Sequence, residues 1–341
     1  MPIIKRGDQA REILNDIIAG GKSLPCFCTE SVYTTEAIFK GVQNFRNENK
    51  EYDQLPVMIA FTASYEGRQQ LKNYTGLSSS REGILAMKSD IERLARPDGP
   101  YPDIKVIVHL DHAQPGKDNW IIEEYSSFIS SVMWDCSQFD LKENKEMTKN
   151  FVTTYKAQFI IEGAVDEIYN YNPENHKSLT KDEITDPAVA EQYFIETGCD
   201  LIVVDLGTEH RRTEGTIKYR GDVARELSNK IGRRLVLHGT SSLSEKEISG
   251  LPGDGIVKVN VWSKLESDPG KKLAHTMIQR LEHLLPSEMI QKLIEEGFLN
   301  ERMKLKENKP SIHYLTEKFR RDEVYLPTVA GIVRDIYSLL F

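Results

Sequence analysis

The sequence predicts an α/β protein built as a (β/α)8 TIM barrel, with one helix before the barrel and further helices after it. Three observations predict this fold. Short apolar runs alternate with amphipathic stretches along most of the 341 residues. Several runs, such as Val106–Leu110 and Leu201–Leu206, are nearly unbroken, as suits strands of a parallel sheet buried on both faces. Eight such runs over about 240 residues match the size of this barrel. A doubly wound sheet is the alternative, but it normally uses fewer strands. It would also need a G-x-G-x-x-G loop after the first strand, and none occurs there.

Taken in order, the first helix spans Gln9–Gly20. Its acids and bases are interspersed and no apolar block ends in a small-residue cleavage site, so it reads as a plug for the barrel's bottom rather than a signal peptide. The predicted strands are Leu24–Cys28, Pro56–Phe61, Ile104–Leu110, Ser131–Asp135, Gln158–Glu162, Leu201–Leu206, Arg234–His238 and Ile256–Asn260. Helical patterns lie between them at Thr34–Asn47, Arg81–Leu94, Lys142–Lys156, Pro187–Thr197 and Gly221–Ile231. Further helical patterns follow at Lys272–Leu285, Ser287–Gly297, 312–321 and 327–340, with the charged segment Asn300–Pro310 as the linker. The catalytic barrel is expected over residues 1–285, and a C-terminal helical extension, serving packing or oligomerisation, over 286–341.

Composition narrows the function. With 39% hydrophobic and 28% charged residues the chain can bury a sizeable core, which excludes global disorder. A formal net charge of -8 argues against a general nucleic-acid binder. No apolar run approaches the roughly 18 to 20 residues of a membrane span. Four cysteines are too few for a disulfide framework, and Cys26 and Cys28 are too close for an ordinary bridge. A protein of the reducing cytoplasm is expected.

The chemistry gathers at strand ends. The third predicted strand ends in His109-Leu110-Asp111-His112, the fourth in Asp135 and the fifth in Glu162. The sixth runs into Gly207-Thr208-Glu209-His210, the seventh ends in His238-Gly239-Thr240-Ser241 and the eighth in Asn260. In a barrel all of these face one rim, where this fold builds active sites. Alone, a histidine near a strand end is more often a hydrogen-bonded structural residue, and Asp135 or Glu162 more often caps a helix. Histidines from three strands with carboxylates beside them point instead to a divalent-metal enzyme. Three imidazoles with an open fourth position are a recurrent catalytic zinc arrangement, and adjacent carboxylates orient imidazoles or move protons.

These segments resemble the class II, zinc-dependent fructose-bisphosphate (ketose-bisphosphate) aldolase family, from the first strand to about residue 265. Val106–Ala113 is similar to the family's first metal segment, Ser131–Val152 to its fourth strand and following helix, and Ile161–Ile168 to its glutamate-bearing fifth strand. Thr185–His210 and Leu235–Ser242 are similar to the segments carrying the second and third zinc histidines, and Lys258–Leu265 to the last-strand substrate motif. The resemblance implies that Asp111 is the acid/base, that His112, His210 and His238 hold one Zn2+ (imidazoles also accept other divalent metals), and that Asp135 and Glu162 line the metal pocket. It implies retro-aldol cleavage in which the metal, rather than a lysine Schiff base, carries the charge left on the carbonyl half.

Three departures mark the substrate end. The family's Gly-Gly-Ser-Gly phosphate loop reads Gly239-Thr240-Ser241-Ser242, so Cβ atoms stand where backbone approach was free. Its Asn-x-Asp-Thr reads Asn260-Val261-Trp262-Ser263, and the second glutamate of the fifth strand is Ala164. Substrate contacts are expected from Gly239, Ser241, Asn260, Trp262 and Ser263. The basic segment Arg211–Arg220 is either a solvated loop or an anion clamp, with Arg211 foremost. The expected activity is reversible cleavage of a ketose phosphate or related ketose to a ketone fragment, such as dihydroxyacetone phosphate, and an aldehyde. An epimerase working by retro-aldol cleavage and re-addition at the same site is the alternative; a non-catalytic binding scaffold would be expected to lose one of the metal-site residues. The expected partners are a small sugar or sugar phosphate and further copies of the chain, in a homodimer or higher homo-oligomer, with no nucleic acid and no membrane.

Overall fold

The architecture is that of a closed parallel barrel, seen in a computed structural model that describes residues 2–166, 184–208, 219–301 and 310–341. Its strands are β1 (Ile3–Ile4), β2 (Leu24–Cys28), β3 (Val57–Phe61), β4 (Val106–Ala113) and β5 (Ser131–Trp134), followed by β6 (Ile160–Ala164), β7 (Leu201–Val203), β8 (Leu235–Leu237) and β9 (Ile256–Val261). Strands β2 to β9 pair in sequence order, β9 returns to β2, and the β4–β5 pairing completes the ring. The predicted (β/α)8 TIM barrel is therefore the fold. Every residue of β2 to β9 is buried, which explains why these strands read as continuous apolar runs rather than alternating ones.

Local signals set the helices. Ser31, Ser79 and Asp140 each accept a backbone N–H in the first turn of the helices Val32–Glu48, Ser80–Ala95 and Leu141–Tyr155. The helix Pro187–Thr197 is capped by Asp186, begins with proline and ends on Gly198 in the left-handed conformation. The first helix, Gly7–Ala19, lies across the N-terminal ends of β6 and β7. There Arg11 pairs with Asp200 at 2.7 Å and donates to the carbonyls of Lys156 and Phe159. That is the bottom of the barrel, where the sequence placed it.

Several boundaries differ from the sequence reading. The two-residue β1, paired to Val106 and Ile107 at the foot of β4, is too short to announce itself by pattern. β4 runs three residues past the expected end, because a bulge between Leu110 and Ala113 keeps the chain in the sheet. β7 stops at Val203 rather than Leu206, and the helix after β9 begins at Ser263 rather than Lys272. Most of the expected linker, residues 302–309, lies outside the described residues.

The last helix, Leu326–Leu340, buries Val329, Val333, Ile336, Tyr337 and Leu340 in the same hydrophobic core as the barrel helices. This i, i+4, i+7 stripe packs on the helix Val32–Glu48 at Gly41, where an added Cβ would sit 2.5 Å from that of Val333. The Tyr337 hydroxyl donates to the Pro56 carbonyl at 2.8 Å. Each aliphatic side chain so buried contributes about 1.5–3 kcal/mol. No described helix is long and apolar enough to cross a membrane.

Candidate active site

The site stands on the C-terminal rim of the barrel and is centred on a distortion in β4. With the two-residue period of a strand, His109 and Asp111 face the barrel interior and His112 would face out. The bulge and a left-handed backbone at His112 (φ 48°) override that alternation. Both Asp111 and His112 turn into the rim, where one donor atom from each lies within 4.8 Å of the other and of His238 at the end of β8. A non-glycine residue in this conformation costs of order 1–3 kcal/mol and persists only where surrounding structure enforces it.

That enforcement is visible. The His112 ring stacks on Tyr65, with centroids 4.0 Å apart and planes 15° from parallel. Its Nδ1 lies 2.6 Å from Oδ2 of Asp135, just past the end of β5. Asp135 also accepts the backbone N–H and hydroxyl of Ser137 at 3.1 and 2.6 Å. Burial works against the Asp135 charge, but the bonds from His112 and Ser137 hold its carboxyl below the ordinary range. An ionised Asp135 accepts from Nδ1 of His112, which favours the tautomer with the lone pair on Nε2.

Asp111 is wholly buried, and both of its close nitrogen partners are donors. Arg68 Nη2 donates to Oδ2 at 2.8 Å and Asn260 Nδ2 to Oδ1 at 3.1 Å, while the Cys28 thiol approaches Oδ2 at 3.8 Å. Burial opposes its charge, yet His112, His238 and Arg68 together hold it well below the usual carboxylate range. The carboxylate is thus ionised and oriented. Burial and Asp111 push the Cys28 thiol up to about 12, so the C-x-C pair offers no thiolate.

Beneath Asp111 the barrel interior is polar. Lys258 Nζ lies 2.9 Å from Oε1 of Glu162 and 3.2 Å from Nε2 of His109, whose Nδ1 is 2.8 Å from the Ser131 hydroxyl. All these side chains are buried. Burial disfavours the Lys258 cation, but Cys26, Glu162 and Asp111 hold its pKa raised, while burial and Lys258 hold His109 low and therefore neutral.

Of the residues singled out in the sequence, Asp111, His112, His238, Asp135 and Asn260 come together. Glu162 lies deeper, on Lys258. Gly239 (φ 72°), Ser241, Trp262 and Ser263 line a cleft of about 290 Å3 on the β8–β9 side of the centre, together with His238, Thr240, Asn260 and Arg68. A second cleft on the β4–β5 side is lined by Ser64, Tyr65, Glu66, Gln114, Lys117 and Asp166, among others. His210 and Arg211 lie outside the described residues. Sequence reasoning missed Arg68, Tyr65 and Lys258. Lys258 precedes Asn260 by two residues on one strand, so strand alternation was a signal for it; the loop residues carried none.

Among the described residues, Asp111, His112 and His238 form the one group of side chains able to hold a metal ion. Imidazole with carboxylate is a donor set that suits zinc and similar divalent ions, so the residues fit such a group.

Comparison with known proteins bears on the family and the fold. Residues 8–313 match the sequence model of the class II fructose-bisphosphate aldolases. The uncharacterized protein YdjI of Escherichia coli is 26% identical over 212 residues, which cover 62% of this chain and 69% of YdjI. In three dimensions the chain is similar to the fructose-bisphosphate aldolase of Campylobacter jejuni, with a TM-score of 0.73, 17% identity, and 99% and 95% of the two chains covered. It is also similar to the crystal structure of the YdjI aldolase, with a TM-score of 0.61, 18% identity, and 97% and 96% covered.

Proposed function

Because the chain belongs to the class II fructose-bisphosphate aldolase family, we propose that it is a divalent-metal-dependent lyase that reversibly cleaves a ketose phosphate or related ketose. The products are a ketone fragment, such as dihydroxyacetone phosphate, and an aldehyde. The observation that carries this reading is the convergence of Asp111, His112 and His238 on one buried point of the rim. His210, from the segment after β7, completes the ligand set in this proposal, with zinc as the resident ion. Such an ion supplies Lewis-acid polarisation of the ketone oxygen and charge neutralisation on the ketone fragment.

The remaining work falls to side chains. Asp111 takes the proton from the hydroxyl on the carbon that leaves as aldehyde, and the carbon–carbon bond breaks with its electron pair retained by the ketone half. A proton from water, delivered to the carbon that keeps the pair, completes the ketone; the synthetic direction reverses these transfers. Arg68 and Asn260 keep its two oxygens aimed, and two donors favour the acceptor-only, ionised form. Asp135 holds the His112 ring in the tautomer a ligand needs. Gly239, Ser241, Asn260, Trp262 and Ser263 receive the substrate's ketone end in the β8–β9 cleft.

One divalent ion per chain is expected on elemental analysis after mild purification, and His210→Ala or His238→Ala should each lose most of it. Full retention in both variants removes the assignment. The function itself is tested by incubating metal-loaded protein with a panel of ketose phosphates and free ketoses and identifying products by mass and NMR. Two fragments mark an aldolase, and an inverted stereocentre without fragments marks an epimerase.

Trp262 narrows the choice of substrate. Its indole fills volume beside Asn260 and cannot accept hydrogen bonds from sugar hydroxyls. Fructose 1,6-bisphosphate is therefore expected to be a poor substrate, with kcat/KM below about 10⁴ M⁻¹s⁻¹, the low end of ordinary enzymes. Trp262→Asp should alter the kinetics on the preferred ketose; unchanged constants would mean the indole does not shape the pocket.

A further inference from the structure

We propose that Arg68 is the receptor for a compact oxyanion, a phosphate or a carboxylate, carried by the substrate into the β8–β9 cleft. The proposal rests on the aldolase reading for the word substrate, but its geometry is independent of the reaction. Arg68 leaves the loop after β3 and reaches the rim with only 7% of its side chain exposed. Among the described residues that line this cleft it is the only charged side chain. The opposite cleft carries Glu66, Asp135 and Asp166 against Lys117, and is the poorer receptor for an anion.

The guanidinium is held ready. Its carbon lies 5.6 Å from the Tyr65 ring centroid and 5.4 Å from that of Trp262, so two aromatic rings flank it. A guanidinium offers five N–H donors, and its hydrogen bond to Asp111 runs from Nη2 alone. Nε of Arg68 is buried without a partner, as is the indole Nε1 of Trp262 beside it. Two buried donors left unmatched next to one cleft call for an acceptor, because buried polar groups are nearly always paired. With one arm on Asp111, the planar fork of a residue that lines the cleft keeps further donors, a geometry that suits a phosphate or carboxylate. Trp262, which replaces an aspartate of the family motif, then has a positive role. It removes a negative charge from the anion's cleft and stacks on the cation that binds it.

The test is calorimetric titration of the full-length, metal-loaded protein with inorganic phosphate, dihydroxyacetone phosphate, unphosphorylated dihydroxyacetone and glycolate. The wild-type protein is expected to bind dihydroxyacetone phosphate more tightly than dihydroxyacetone, and to bind inorganic phosphate or glycolate alone; which of these two binds better identifies the oxyanion. Arg68→Gln, which keeps a donor toward Asp111, should weaken that anion about 10- to 100-fold, the range for a lost charge-assisted hydrogen bond, with little effect on dihydroxyacetone. Arg68→Lys, which keeps the charge should the glutamine variant fold poorly, should weaken it several-fold by losing the fork. Unchanged anion affinity in a folded variant, or no anion binding by the wild type, overturns the proposal. Anion binding that depends on Arg68 without cleavage of any ketose in the panel would uphold Arg68 and remove the aldolase reading. Cleavage that persists in Arg68→Gln with an unchanged KM for the phosphorylated ketose would do the reverse.

Discussion

Asp111→Asn is expected to lower turnover on the preferred ketose by about 10²–10⁴-fold, the usual contribution of a positioned acid/base, while the bound metal and the fold are retained. The expectation follows from how the carboxylate is held. Both of its nitrogen partners, Arg68 Nη2 and Asn260 Nδ2, are donors, so the resting group is the acceptor-only, ionised form. Asparagine keeps one oxygen for Arg68 and occupies nearly the same volume, but it cannot take a proton. Alanine should lose turnover too, but would leave the buried Arg68 charge without its partner, which makes it the less clean variant.

The same substitution separates two roles that the geometry allows Asp111. Its carboxylate lies within 4.8 Å of the ligand atoms of both His112 and His238, close enough to be a ligand itself. If it were a ligand, Asp111→Asn would lower metal content together with turnover. If it is the base, metal content stays and only turnover falls, with kcat and kcat/KM dropping alike. Near wild-type turnover in the asparagine variant would mean that Asp111 is not the acid/base.

The barrel was legible in the sequence because burial on both faces writes itself as unbroken apolar runs, and Val106–Leu110 and Leu201–Val203 are such runs. The rim was legible because residues just past those runs share one face of this fold, whatever their rotamers. How Asp111 and His112, adjacent in sequence, come to face the same point was not legible. Strand alternation separates neighbours, and only the bulge with its left-handed His112 reunites them. Arg68 was hidden for another reason. Its contact with Asp111 spans 43 residues and comes from a loop without periodicity, so no local pattern encodes it. Strand position put Glu162 on the rim, and the family resemblance put it in the metal pocket. Its nearest charged partner, Lys258, lies 96 residues away, and a lysine within an apolar run reads as a solvated exception rather than the centre of a core network.

That network carries the largest expected effect on stability. Lys258→Met should destabilise the protein by about 3–5 kcal/mol, because removing one partner of a buried ion pair leaves the other charge uncompensated. Glu162 would keep its negative charge in the barrel interior with no cation at 2.9 Å, and the His109 Nε2 lone pair would lose its donor at 3.2 Å. A fall in Tm on the order of 5–10 °C is the readout, scaled from domains somewhat smaller than this one. Replacing both members, as Lys258→Met with Glu162→Leu, should recover much of the loss, since an apolar pair of similar volume removes the uncompensated charge. The double variant should therefore be more stable than the sum of the two single changes predicts. A Lys258→Met protein within about 1 kcal/mol of wild type would show that water or a proton neutralises Glu162, and that the ion pair is not what holds the barrel interior together. The coupling also reaches the rim. His109 Nε2 lies 3.6 Å from Oδ1 of Asp111, and the lysine fixes which His109 nitrogen bears the proton. Lys258→Met should on that ground lower kcat as well as Tm, and Glu162→Leu alone, which leaves the Lys258–His109 contact in place, should lower kcat less.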